Sequence, residues 1–205
     1  MWIHDVADQY NLEVKDGRHN NIDGIAVFDE LLTKRYILEK RWRDGEKVFL
    51  AFMMNPSKAA HNKSDATVNQ MIRLAKVYDC DALQVINVSS FIEGLSNDVP
   101  DESFTFDTIN WAFIERALID AYIIFISWGI QGQQGINNWL LSQNIVANTL
   151  YNVRLKCYAY EHLLALKEKI YYVPHPRPRG TVRKYEDSLA HKLSLSELVD
   201  LFWSD

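Results

Sequence analysis

Residues 49–59 read F-L-A-F-M-M-N-P-S-K-A, an apolar run cut off at Asn55-Pro56-Ser57. Residues 48–54 are apolar throughout, the pattern of a strand buried on both faces, as in a parallel sheet. Pro56 cannot donate to a sheet ladder, so the strand must end at or before it. Asn55 is thereby held at the carboxyl end of a central strand, the edge that lines the ligand crevice of an open α/β sheet. Three other apolar runs end in polar residues. Residues 83–88 carry Asn87, residues 122–128 lead into Trp128-Gly129, and residues 170–173 run into Pro174-His175.

On the amino side, residues 35–42 alternate. Tyr36, Leu38, Lys40 and Trp42 share one parity, and Arg35, Ile37, Glu39 and Arg41 the other. This predicts a half-buried antiparallel edge strand. The basic Lys34, Arg35, Lys40, Arg41 and Arg43 fit a solvated edge that blocks aggregation; a phosphate site is the alternative. Asp44-Gly45 is a turn signal into the central strand. Residues 1–24 are polar and irregular and read as an arm, leaving residues 25–205 as a single domain.

On the carboxyl side, Ser64 or Asp65 caps a helix whose Val68, Met71, Ile72 and Ala75 form one apolar stripe. A second helix is expected over residues 107–121. Residues 129–135, G-I-Q-G-Q-Q-G, read as a glycine loop able to bring backbone N–H groups to an anion, although they fit neither standard phosphate-loop spacing. Residues 136–151 look helical, 154–160 are ambiguous, and 161–169 suggest a short helix. Residues 174–180, P-H-P-R-P-R-G, exclude regular structure. Ser194 with Glu197 makes a capping box, followed by a stripe of Leu195, Leu198, Val199 and Phe202. The strand–helix alternation predicts an α/β fold: three layers, α/β/α, around a central, mainly parallel four-stranded sheet, with an N-terminal β arm or hairpin.

Composition narrows the functions. The chain has 205 residues, 48% of them hydrophobic and 24% charged, enough for a sizeable core. Its apolar runs are too short to span a bilayer, and its first residues lack the basic-then-apolar order of a signal peptide. Cys80 and Cys157 read as reduced thiols of a cytoplasmic protein. A net charge of −5 argues against strong non-specific nucleic-acid binding. Yet residues 169–185 contain no acid while carrying Lys169, Arg177, Arg179, Arg183 and Lys184.

Together the strand ends offer Asn55, Ser57, Asn87, Ser127, Trp128 and His175, with cations beside the last. No paired carboxylates stand at these ends, and neither cysteine does. His4, His19, His61, His162 and His191 have no companion at ligand spacing, so neither a metal nor a cofactor is expected. What remains is a hydrogen-bonding site with one imidazole, suited to positioning a water and stabilising an anionic leaving group. Each residue also has a structural reading: Asn55 as a turn, Asn87 as a satisfied strand end, Trp128 as core, His175 as a loop former and the arginines as solvated surface.

The order N-P-S, V-I-N, I-S-W-G and H-P-R-P-R resembles the uracil-DNA glycosylase superfamily, whose first motif ends a strand in D-P or N-P and whose last is close to H-P-S-P. Residues 53–59, Asp65-Ala66-Thr67, Ile86-Asn87 and Trp128-Gly129 more closely resemble an uncharacterised bacterial and phage family with an M-L-N-P-S-x-A signature, over roughly residues 35 to 130. The first resemblance implies a uracil-DNA-glycosylase-like fold and roles for each residue. Asn55 would hold the attacking water and Asn87 would read the base edge. His175 would donate to the base oxygen as charge builds there. Phe91 would stack on the extruded base. Ser57, Arg177 and Arg179 would hold phosphate, with Arg183 continuing a basic groove. The partner would be single-stranded nucleic acid, a flipped base or a nucleotide. The strongest uracil-excising branch has aspartate where Asn55 stands; asparagine cannot act as a base, so slow excision, or excision of bases that leave easily, is expected. The alternative is a non-catalytic module on the same fold that binds a nucleotide, single-stranded nucleic acid or a protein.

Overall fold

A computed structural model describes residues 1–92, 101–165, 171–178 and 184–203. Its centre is an eight-stranded mixed sheet of order β1-β2-β3-β5-β4-β6-β7-β10. In chain order the strands are β1 (Glu13–His19), β2 (Ile22–Phe28), β3 (Arg35–Arg41), β4 (Val48–Met53), β5 (Ala82–Asn87), β6 (Ile123–Ser127), β7 (Cys157–Ala159), β8 (Leu164–Ala165), β9 (Tyr171–Tyr172) and β10 (His191–Lys192). The helices are α1 (Trp2–Gln9), α2 (Ala66–Val77), α3 (Thr108–Asp120), α4 (Gly129–Ser142), α5 (Asn144–Val153) and α6 (Leu195–Phe202).

Three of the four expected central strands stand where the apolar runs put them, as β5, β4 and β6. The fourth does not. Among the described residues, 171–172 pair with β8 in a separate two-stranded sheet, and β7 is the strand parallel to β6. The expected helix over residues 161–169 is likewise replaced, over its described part, by β8. The expectation of a mainly parallel sheet is also corrected. β1–β2, β2–β3, β3–β5 and β7–β10 are antiparallel, against parallel β5–β4, β4–β6 and β6–β7. Short connections make β1, β2 and β3 antiparallel at one end, while β10 returns to β7 only after residues 160–190; the parallel pairs need crossovers.

The polar start of the chain is part of this sheet. Asn20 and Asn21, at φ 51° and 60°, make the two-residue turn between β1 and β2, a left-handed pair that asparagine tolerates. Residue 24, where the arm was expected to end, lies inside β2. Ile3 and Ala7 of α1 are fully buried.

β3 is not an edge strand: β2 flanks it on one side and β5 on the other. Nor does it alternate. A register shift opposite Val27 and Phe28 makes a bulge at Tyr36, so Tyr36 and Ile37 both face one apolar cluster and Leu38 the other. β4 lies beyond β5, so Asp44-Gly45 does not close a hairpin. The connection instead crosses the start of β5 at Asp81. The carboxylate of Asp81 accepts from the Lys47 amide and Arg43, and its carbonyl accepts from the amides of Trp42 and Arg43. A Cβ on Gly45 would lie 2.2 Å from the Asp81 Oδ2, so only glycine fits.

Alternation along β4, β5 and β6 builds the two faces. Leu50, Phe52, Ile86, Ile124 and Ile126 pack with α1, α3, α4, α5 and α6. Phe49, Ala51, Met53, Leu83, Val85 and Phe125 pack with α2. The expected glycine loop is the first half of α4, where Gly132 packs on Trp128 and Gly135 on Phe104 and Val88. Cys80 and Cys157 are free and buried, and burial pushes their thiols up to about 11 and about 12. Among the described residues no helix is long and apolar enough to cross a membrane.

Candidate functional site

Parallel pairing puts Met53, Asn87 and Ser127 in one row across the carboxyl edge, with Met53 opposite both others. All three follow the alternation of the α2 face, so Asn87 and Ser127 lie two strand spacings apart, about 10 Å.

Asn87 is buried, and its amide nitrogen has no hydrogen-bond partner among the described residues. Its backbone is fixed from the opposite face. The buried Asn110 of α3 donates to the carbonyls of Asn87 and Val88 at 3.0 and 3.2 Å. The end of β5 is thus held in place while, among the described residues, the amide donors of its last side chain are unused.

β4 continues into Met54 and then the half-buried Asn55 and Ser57. The Asn55 amide lies 3.4 Å from the Pro56 carbonyl. Ser57 Oγ accepts from the Ala59 amide at 3.3 Å. The loop that follows is held by two cations the sequence had suggested were solvated. The Arg35 guanidinium is buried and donates to the carbonyls of Ala59 at 2.6 Å and Ser57 at 3.4 Å. Lys40, equally buried, donates to the carbonyls of Ala60 at 2.8 Å and His61 at 2.7 Å. Five residues apart, they would face opposite sides of a regular strand; the bulge at Tyr36 brings both to the α2 side. Burial lowers the Arg35 pKa to about 10 despite the Asp65 carboxylate, and burial with the Arg35 charge lowers Lys40 to about 8. Gly24 lets the loop close on β2, since a Cβ there would meet the His61 carbonyl at 2.0 Å.

Asp65 is the N-cap of α2, accepting from the Val68 amide at 2.8 Å. That carboxylate already occupies the helix N-terminus that follows Ser57, a residue for which the resemblance implied phosphate binding.

The His175 loop is pinned at three points. Ser127 Oγ donates to the Pro174 carbonyl at 2.6 Å, and the Gly129 amide to the Val173 carbonyl at 3.0 Å. Gln70 of α2, fully enclosed, donates to the Pro176 carbonyl at 3.2 Å and also to the Tyr160 hydroxyl and the Tyr185 carbonyl. The Arg177 amide donates to His175 Nδ1 at 3.1 Å, so the ring proton sits on Nε2. Burial, with the Arg177 charge, lowers the His175 pKa against the Asp65 charge that raises it, so the ring favours its neutral form. The Arg177 side chain is half-buried; Arg179 and Arg183 lie outside the described residues.

Phe91 stands on the same edge, exposed, beyond β5. Lys34 pairs with it, and the Lys34 ammonium, 4.8 Å from the ring centroid, already covers one ring face. Trp128 is wholly buried, donating to Gln133 and packing edge-on against Phe52. The edge therefore joins Asn55, Ser57, Asn87 and the His175 loop on one side of the sheet, and puts Phe91 at its β3 end. Arg35, Lys40, Gln70 and Asn110 were not singled out as supports of these residues. A basic pair inside a strand with apolar neighbours was the one available sign, and the bulge concealed it.

A family of proteins of unknown function (DUF1643) has a model that matches residues 35–169. The chain belongs to this family. The match runs from the Arg35 brace through Asn55, Ser57, Asn87 and Phe91, and stops before His175, Arg177, Arg179 and Arg183. No curated protein matches the chain significantly. No solved structure does so either.

Proposed function

We propose that the chain hydrolyses the N-glycosidic bond of a nucleobase, unmodified or modified, in DNA or in a nucleotide. The frame would be the three-layer, uracil-DNA-glycosylase-like one its motifs resemble. One observation carries the reading: a buried, unpartnered amide nitrogen on Asn87, on the same sheet edge as a pinned, neutral histidine. An unmet buried donor costs about 1–3 kcal/mol, which a base carbonyl would recover. The Nε2–H of His175 then donates to a base oxygen as the C1′–N bond breaks and its electron pair moves into the base. Water held at Asn55 forms the new bond to C1′. Asn55 cannot take the water's proton, which leaves to solvent, so turnover is slow and favours bases that are stable as anions.

A second reading, a nucleotide or single-strand binding module, is favoured by that missing base and by the Lys34 cover on Phe91. One experiment separates the two. Single- and double-stranded oligonucleotides bearing uracil, hypoxanthine and hydroxymethyluracil are incubated with wild type, Asn55→Ala, Asn87→Ala and His175→Ala, and abasic sites are scored by alkaline cleavage. Excision lost in all three variants is the expected result. Excision absent throughout, with nucleotide binding that Asn87→Ala weakens, would replace catalysis by binding.

A further inference from the structure

The fourth parallel strand, β7, leads into a residue the motifs never pointed to. His162 follows that strand, on the carboxyl edge of the sheet. His191 lies in β10, paired with Ala159 of β7, and Glu197 sits in the first turn of α6. Their ligand atoms, one from each side chain, all lie within 4.8 Å of one another. His162 Nδ1 is 2.7 Å and His191 Nε2 3.9 Å from Glu197 Oε1, and the two imidazole centroids are 4.6 Å apart. We propose that His162, His191 and Glu197 bind a divalent transition-metal ion of the zinc class.

Three observations support the site. His191 Nε2 is buried with no hydrogen-bond partner among the described residues, so a lone pair or proton at that atom is unmet there. Glu197 is already oriented: its Oε2 accepts from the amide and the hydroxyl of Ser194 at 2.8 and 2.7 Å, which leaves Oε1 turned to both imidazoles. That is the outer support a metal carboxylate needs. Two imidazoles and one carboxylate also form a donor set for zinc, nickel, copper or iron rather than for calcium or magnesium. Tetrahedral bonds of about 2.0–2.2 Å set neighbouring ligands roughly 3.3 Å apart. His162, whose side chain is 86% exposed, is free to adjust, and the 3.9 Å between His191 Nε2 and Glu197 Oε1 must shorten as well. The ion would join the end of β7, the edge strand β10 and helix α6, and would keep one position open to solvent.

The test uses metal-free full-length protein, titrated with Zn²⁺ by calorimetry and with Co²⁺ by visible absorption. Wild type is expected to bind one ion, to show the visible bands of four-coordinate cobalt, and to gain thermal stability. His162→Ala removes an exposed side chain and Glu197→Gln keeps the capping-box acceptor, so both should fold, as circular dichroism would verify. Each should weaken binding by at least about tenfold and abolish the stabilisation. Failure of wild type to bind Zn²⁺ and Co²⁺, or equal binding by both variants, would overturn the site. Because Asn55, Asn87 and His175 are untouched, base excision reports separately.

Discussion

Two loops carry the proposed base site, and they are held by opposite means. The loop after Asn55 is held by charge: Arg35 and Lys40 reach four consecutive or near-consecutive carbonyls between Ser57 and His61. The loop around His175 is held by neutral donors, Ser127, Gln70 and the Gly129 amide. A buried cation must recover its desolvation from its acceptors, so the first loop is determined wherever those carbonyls point. A neutral amide risks less and holds less tightly. The difference suits the proposed roles. Water at Asn55 needs a fixed seat, whereas His175 needs burial to stay neutral.

The largest break in this comparison should come from Arg35→Met. It orphans the Ala59 and Ser57 carbonyls, and hydrogen bonds from charged groups contribute about 1.5–3 kcal/mol. A stability loss near 2 kcal/mol in urea denaturation is expected; no loss would show that desolvation of Arg35 cancels its bonds. Gln70→Ala should cost less, about 1–2 kcal/mol for neutral bonds. It should also shift the His175 resonances in NMR spectra while leaving those of residues 57–61 in place. Movement of both loops would show that they form one unit.

The third effect is one of pH. Lys40 titrates near 8 when folded, against an ordinary 10.5. Below about pH 8 both states hold the proton and the penalty of the buried charge is constant. Between about 8 and 10.5 the unfolded chain binds more protons, so this lysine makes stability rise with pH. The stability of wild type relative to Lys40→Met should therefore rise with pH across that window. A flat difference would mean that Lys40 titrates normally.

The sequence showed the interior of the sheet better than its margins. The apolar runs that became β4, β5 and β6 are each long enough to fix both strand and edge, and Asp65 and Ser194 cap α2 and α6 as their side chains suggest. β7 escaped because Cys157–Ala159 is three residues long, while residues 170–173 look more apolar. In β3 the bulge broke the alternation on which an edge-strand reading depended. The glycines of α4 suggested a loop, but Gly132 and Gly135 serve close packing inside a helix. Leu195 and Val199 of the final stripe are exposed, and Leu201 takes their place inside. His162, His191 and Glu197 could not be connected in advance, since pairing of β10 with β7 alone brings them together.

The two buried thiols give the fold a pair of internal clocks. Neither forms thiolate near neutral pH, so neither reacts until its surroundings open. Cys157 sits in β7, beside the two-residue strand that closes one side of the sheet, while Cys80 stands just before β5, a strand near the middle. Alkylation of Cys157 ahead of Cys80 would time the peeling of that side, and simultaneous alkylation would time collapse of the whole.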